Sequence, residues 1–185
     1  MFGYTWASLH AAVNDLPTAL LVVGFLFDIL YLLTRRESLR WAGFWMILAG
    51  SVGGVLAVLS GLQAADHIAH SEAVHEIMSE HQTLAFITLG IFAAVSIWRI
   101  ARERKMARGE RGLMELLSLA GVVFVCATAW HGGEMVFRHA AGVPTPALQQ
   151  EIEGRAEGHH HHDGDHDEHE HDDHDHTAPA GDHAD

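Results

Sequence analysis

The sequence predicts an all-α integral membrane protein, an antiparallel four-helix bundle with a disordered C-terminal tail. Four long apolar runs follow one another, most basic residues lie between them, and almost nothing apolar follows Ile152. We therefore expect a membrane domain over residues 1–143, a linker over 144–158 and a disordered tail rich in His and Asp over 159–185.

The four apolar runs have the length of membrane-spanning helices. A helix rises 1.5 Å per residue, so about 20 residues cross a hydrocarbon core of about 30 Å. The second run is uncharged from Trp41 to Ala65, and its small residues at helical spacing let neighbouring backbones approach closely. The predicted spans cover about residues 16–34, 41–65, 82–98 and 113–131.

Two acidic residues lie within or beside these spans. Asp28 is the one charge of the first span, about two turns before Arg35 and Arg36. An ionisable group at that depth is a functional candidate, and a structural carboxylate held by an arginine is the alternative. We expect Glu115 to be a first-turn acid of the fourth helix, favoured by the helix dipole.

The basic residues predict the orientation. Nine of the 11 lie in the connections 35–40 and 99–111, which the positive-inside rule assigns to the cytoplasm. Both termini and the 66–81 loop then face the periplasm of a bacterial inner membrane. Residues 1–15 contain no Lys or Arg, so we expect no cleaved signal peptide.

The acidic charge belongs to the tail. Residues 156–185 hold 11 of the 24 acidic residues and no basic one, so the net charge of −13 falls to −2 over residues 1–155. We expect lipid and metal-ion partners and no nucleic acid.

The single cysteine, Cys126, excludes an intrachain disulfide, and no nucleophile–base set or cofactor motif indicates a conventional enzyme.

The seven histidines outside the tail all lie at the predicted periplasmic ends of the spans. Imidazole is a common ligand of zinc, copper and haem iron. If the second helix continues past its span, Asp66, His67 and His70 share one face and form a candidate metal site. Polar solvation of helix ends is the alternative, and no HExxH or CxxC motif is present. For a haem b or copper site we expect a pair drawn from His10, His81 and His139.

The tail carries a second predicted metal site. Its histidines alternate with Asp and Glu, a composition that cannot bury a core and is typical of disorder. Such tracts bind borderline divalent ions such as zinc, nickel, copper or cobalt. An appended purification tag is the alternative. The candidate ligands are His159, His160, His161, His162, His166, His169, His171, His174 and His176.

Over roughly residues 8–143 the chain resembles the bacterial membrane family called domain of unknown function 2231. Two departures are Ala11, where the family often shows proline, and Ala140, where glycine is usual. The resemblance implies a four-span membrane protein and no established activity. It rests on Leu9-His10 ahead of Leu16-Pro17, Ser60-Gly61 with Asp66, His81, Arg99, Gly132-Gly133, Val136, Arg138-His139 and Gly142-Val143.

Three functions fit these observations. In the first, a haem b or copper ion near the periplasmic face serves a redox role with a membrane partner. In the second, the tail collects zinc, nickel, copper or cobalt, and the bundle stores, senses or passes the ion without redox chemistry. In the third, the protein is an assembly or scaffold subunit whose histidines lie at an interface.

Overall fold

The computed structural model describes residues 5–68, 71–156 and 158. These residues form five helices and no strand: α1 (Trp6–Thr34), α2 (Glu37–His67), α3 (Glu72–Arg102), α4 (Arg108–His139) and α5 (Thr145–Ala156). Helices α1 to α4 are each long and apolar enough to cross a membrane. The predicted all-α fold with four spans is confirmed.

The four spanning helices are longer than the predicted spans because flanking residues continue α1 at its start and α2, α3 and α4 at both ends. Thr5 caps α1 by accepting a hydrogen bond from the Ser8 amide at 3.2 Å, and Ser71 caps α3 from the Val74 amide. Residues 72–81, expected in a loop, are therefore the first turns of α3. The connections shrink to residues 35–36, 68–71 and 103–107.

Two helical hairpins make up the bundle. Helix α1 packs most extensively on α2, and α3 packs on α4. Between the hairpins lies a fully buried apolar core formed by Ile47, Phe92, Val95 and Met114. The opposite surfaces expose large apolar side chains such as Leu33, Trp130 and Phe137, as expected of helices that face lipid.

The two hairpins repeat one another at an offset of 71 residues. Gly50 and Gly121 each admit the side chain that lies 29 positions earlier, Leu21 and Phe92 respectively, so close that an added Cβ would lie within 3 Å. Asp28 and Arg99 are also equivalent, separated by 71 residues. Because α1 and α3 run in the same direction, the hairpins form a parallel repeat about an axis along the bundle.

The chain after the fourth span starts a separate unit. Ala140 ends α4 in the left-handed conformation (φ 51°), which favours glycine, the residue usual there in the resembled family. A second compact unit begins at Thr145. Helix α5 lies within the predicted linker, and the predicted disordered tail lies outside the described residues.

Candidate functional site

Two histidines line one cavity at the end of the bundle where α1 and α3 begin, which we call the histidine end. His10 lies in the second turn of α1, and His81 lies ten residues into α3. Both side chains are half-buried. Their ring centroids are 6.3 Å apart and their planes meet at 87°.

Each imidazole is fixed by the second helix of its own hairpin. His10 Nδ1 lies 3.0 Å from the Ala57 carbonyl oxygen, and His81 Nδ1 lies 2.9 Å from that of Thr128. Both bonds span 47 residues, so the two hairpins hold their histidines in the same way.

These hydrogen bonds determine which ring nitrogen is available. A carbonyl oxygen only accepts, so Nδ1 carries the proton and donates it in each ring. In the neutral imidazole the Nε2 atom then keeps its lone pair. This is the arrangement that orients metal-ligating histidines in proteins.

Glycines make room for both rings. A Cβ added at Gly61 would lie 2.9 Å from His10 Cε1, and one added at Gly132 would lie 3.2 Å from His81 Cε1. The two glycines are again 71 positions apart. A side chain at either position would push the imidazole away from its place in the cavity.

The cavity beside the histidines has a volume of about 460 Å³, within the range of small-molecule and cofactor sites. Polar lining comes from Asn14, Asp15 and Gln82 next to the histidines. The remaining walls are mainly apolar and include Met78, Phe86, Val136 and Phe137. Phe86 and Phe137 are exposed on the outside of the bundle, so this wall of the cavity reaches the surface.

The other predicted ligands do not join this pair. His139 is exposed at the last residue of α4. Helix α2 ends at His67 and Ile68 is extended; His70 lies outside the described residues, so the metal site expected of Asp66, His67 and His70 stays a prediction. Asp66 and His67 are exposed, and His67 Nδ1 bonds to the Gln63 carbonyl of its own helix.

His70 and the tail histidines 159–176 lie outside the described residues, so their metal binding stays a prediction. Within the described ranges no group of three or more His, Cys, Asp or Glu side chains could hold a metal ion. One further contact lies near the pair. His131 Nε2 is 3.2 Å from Glu80 Oε2.

A network of buried charges lies at the opposite end of the bundle, which we call the basic end. The Arg99 guanidinium bonds both carboxylate oxygens of Asp28, at 2.5 and 3.1 Å. The same guanidinium donates from Nε to Glu103 at 2.8 Å, and Arg111 donates to Glu103 at 2.7 Å. The expected arginine partner of Asp28 is therefore Arg99 of α3, and not Arg35 or Arg36.

Glu103, in the connection between α3 and α4, holds this network together. Burial alone would raise its pKa, but the charge of Arg99 and hydrogen bonds from Arg111 and Arg99 bring the pKa below its usual value. Glu115 is buried two turns into α4, so the expectation of a first-turn acid is wrong. The first-turn acid is Glu110, which accepts from Trp98 and Arg102.

The proximity of His10 and His81 was one of the three pairings expected among His10, His81 and His139, whereas the pairing of Asp28 with Arg99 was not predicted. The signal that could have found both is the internal repeat. His10, Arg40, Gly50 and Gly61 recur as His81, Arg111, Gly121 and Gly132.

The chain was compared with known proteins and families. A family model described as "Predicted membrane protein (DUF2231)" matches residues 7–145. Searches of curated proteins and of solved structures found no match. The family match covers the four spans and most of the chain, which confirms the resemblance. This multi-pass membrane protein belongs to the family called domain of unknown function 2231.

Proposed function

We propose that the protein binds one haem b between His10 and His81 and serves a redox role in the membrane. The observation that carries this proposal is the geometry of the pair: two imidazoles from parallel helices line one cavity with their ring centroids 6.3 Å apart. Each Nδ1–H is held by a main-chain carbonyl, which leaves both Nε2 atoms as ligands.

The spacing of the rings suits one shared metal centre. A metal ion about 2.0–2.1 Å from each Nε2 requires ring centroids about 6 Å apart, once the radius of both rings is added. Two imidazoles can supply both axial ligands of a haem iron, whereas structural zinc takes four protein ligands. The number of ligands and their spacing therefore favour haem over a bare ion.

The surroundings also suit a flat apolar cofactor. Gly61 and Gly132 make room for the two imidazole rings, and the wall that includes Phe86 and Phe137 is apolar. An apolar shell controls the dielectric around the iron and hence its reduction potential. When bound, haem supplies one-electron chemistry, while the chain's own groups hold and orient the ligands.

We further propose that the histidine end faces the periplasm of a bacterial inner membrane. The support is the placement of nine of the 11 basic residues at the other end. With Cys126 replaced by Ala, a cysteine at Ser71 is expected to react with an impermeant label in intact cells. A cysteine at Gly109, which has open space around it, is expected to stay unlabelled, and the reverse result contradicts this orientation.

The experiment that tests the haem proposal is a visible spectrum of the purified protein truncated after residue 155, oxidised and then reduced with dithionite. We expect sharp reduced bands of a low-spin haem and about one iron per chain. A colourless truncated protein that holds one tight copper or zinc ion would instead support metal handling. A colourless, metal-free protein would leave the scaffold function.

Metal handling by the tail is a second candidate function, and the ten histidines of residues 156–185 favour it. The full chain is expected to bind several zinc or nickel ions at neutral pH. Binding should weaken as pH falls through about 6.5, where ordinary imidazoles protonate. Deletion of 156–185 should remove most of this capacity in isothermal titration, and an unchanged stoichiometry would rule the tail out.

A further inference from the structure

One carboxylate at the basic end has no hydrogen-bond partner. Glu115 is 5% exposed, and both of its carboxylate oxygens are buried without a hydrogen bond. The nearest arginine atom is Arg111 Nη1, 3.9 Å from Oε1, which also lacks a partner. Among the described residues, the buried side-chain polar atoms without a hydrogen bond are the two carboxylate oxygens of Glu115 and Nη1 of Arg111.

The neighbouring arginines are engaged elsewhere. Arg99 gives its bonds to Asp28 and Glu103, and Arg111 gives Nη2 to Glu103. Arg40 binds Glu37 and approaches Glu103 at 3.5 Å. Of the buried carboxylates in this network, Glu115 is therefore the one that accepts no hydrogen bond from an arginine.

The repeat shows that the fold does not need an acid at this position. The equivalent of Glu115 in the first hairpin is Phe44, and the equivalent of Arg111 is Arg40. Phe44 is buried, packs edge-on against Trp41 and lies under the Arg99 guanidinium. An apolar side chain fills the matching place, so an unpartnered buried acid costs free energy that packing does not require.

The groups that face Glu115 come from every part of the bundle. Together with an ionised Glu115 they carry three positive and three negative charges, so the network is then neutral. A proton on Glu115 removes a buried carboxylate charge that no hydrogen bond satisfies, and it leaves the network at +1. The charges of Asp28, Arg99, Glu103 and Arg111 act on Glu115, Arg40 of α2 is linked to them through Glu103, and Tyr31 of α1 packs against Arg111.

We propose that Glu115 is a proton-binding site of the basic end. Its carboxylate takes one proton from solvent and becomes a neutral carboxylic acid, and it returns the proton by the same route. The network meets solvent at Arg40, which is paired with the exposed Glu37. The site is independent of the proposed haem, because 18 residues of α3 separate His81 from Arg99, about 27 Å along the helix.

Infrared spectroscopy of the purified full chain tests this proposal. We expect the carbonyl stretch of a buried carboxylic acid that grows as pH falls and shifts when water is exchanged for D₂O. The variant Glu115→Gln should lose this band. Glu110→Gln is the matched control, because Glu110 lies on the same helix as Glu115 and is ion-paired with Arg102 of α3, and this variant should keep the band.

A second variant distinguishes loss of the proton-binding site from loss of the fold. Glu115→Phe copies the residue that the first hairpin carries at the equivalent position, so it should fold and lose the band. Acid–base titration should show one proton fewer bound by this variant than by the native chain over the pH range in which the band grows. A native protein without the band, or a band that survives both substitutions, overturns the proposal.

Discussion

Asp28 and Arg99 occupy the same position in the two hairpins and pair with each other across the bundle, both side chains nearly inaccessible to solvent. The two side chains bridge the diagonal helices α1 and α3, and Gly43 of α2 leaves room for them, because a Cβ there would overlap the Asp28 carboxylate. The repeat therefore places opposite charges at equivalent sites, and each half supplies the countercharge of the other.

The first prediction concerns this pair. Asp28→Asn and Arg99→Met should each destabilise the protein by about 3–5 kcal/mol, because each removes one member of a buried, doubly hydrogen-bonded ion pair. The double variant should be destabilised by less than the sum of the two single losses of unfolding free energy, and the difference should be about 1–3 kcal/mol. Thermal unfolding in detergent measures all three variants.

The matched control is the ion pair of Glu134 and Arg138, in which the arginine is exposed. The coupling energy of that pair should be no more than about 0.5 kcal/mol, as for other surface pairs. A coupling energy for Asp28 and Arg99 as small as this would contradict a structural role for the buried pair.

The four spanning helices could be predicted from the sequence, but their ends and the fifth helix, α5, could not. Hydropathy marks only the part of a helix that lies in hydrocarbon, and polar residues interrupt the turns before the apolar runs of α1 and α3, such as Asn14 and Asp15 in α1 and Glu72 and Glu80 in α3. Those turns are helical because Thr5 and Ser71 cap them. As a result His81, expected at the start of a span, lies inside α3 opposite His10.

The second prediction concerns the glycines beside the imidazoles. Gly61→Ala places a Cβ 2.9 Å from His10, and Gly132→Ala places one 3.2 Å from His81, so both rings must move. Haem affinity should fall about 10- to 100-fold, as for other changes in the groups that orient a ligand. Haem retained per chain after gel filtration measures the effect.

Gly90→Ala is the control for both glycines. It lies in α3, where an added Cβ meets nothing within 4 Å. This variant should keep its haem and gain up to about 1 kcal/mol in helix stability. Equal haem loss in all three variants would show that the glycines act through general helix stability and not through the histidines.

The third prediction is a pH dependence of stability. The pKa of Glu103 is lower in the folded protein than its usual value, so its contribution to stability is complete above that value. The contribution is lost as pH falls through the lowered pKa of the folded state. The unfolding temperature of Glu103→Gln should therefore lie below that of the native chain at pH 6, and the gap should narrow below about pH 4.

Glu37→Gln is the comparison for this measurement, since that side chain is mostly exposed. The unfolding temperature of Glu37→Gln should differ little from that of the native chain at every pH. A gap for Glu103→Gln that stays constant from pH 6 to pH 3 would contradict the role of its charge in the network.

The candidate site could be predicted only in part. The sequence indicates that histidines gather at one end of the bundle, but pairing depends on how each helix is rotated about its axis. His139 also lies at the end of an apolar run, but its side chain is exposed at the end of α4. Asp66 and His67 are exposed as well, just before α2 ends. The rotation is recoverable from the repeat, which puts His10 and His81 at equivalent positions.

The most direct test is the reduced-minus-oxidised spectrum of three variants of the tail-truncated protein: His10→Ala, His81→Ala and His139→Ala. We expect His10→Ala and His81→Ala each to abolish the low-spin haem signal, because each removes one of two axial ligands. The exposed His139 should be replaceable without effect. A native spectrum in the His10 and His81 variants, or loss of the signal only in His139→Ala, would contradict haem binding by the pair.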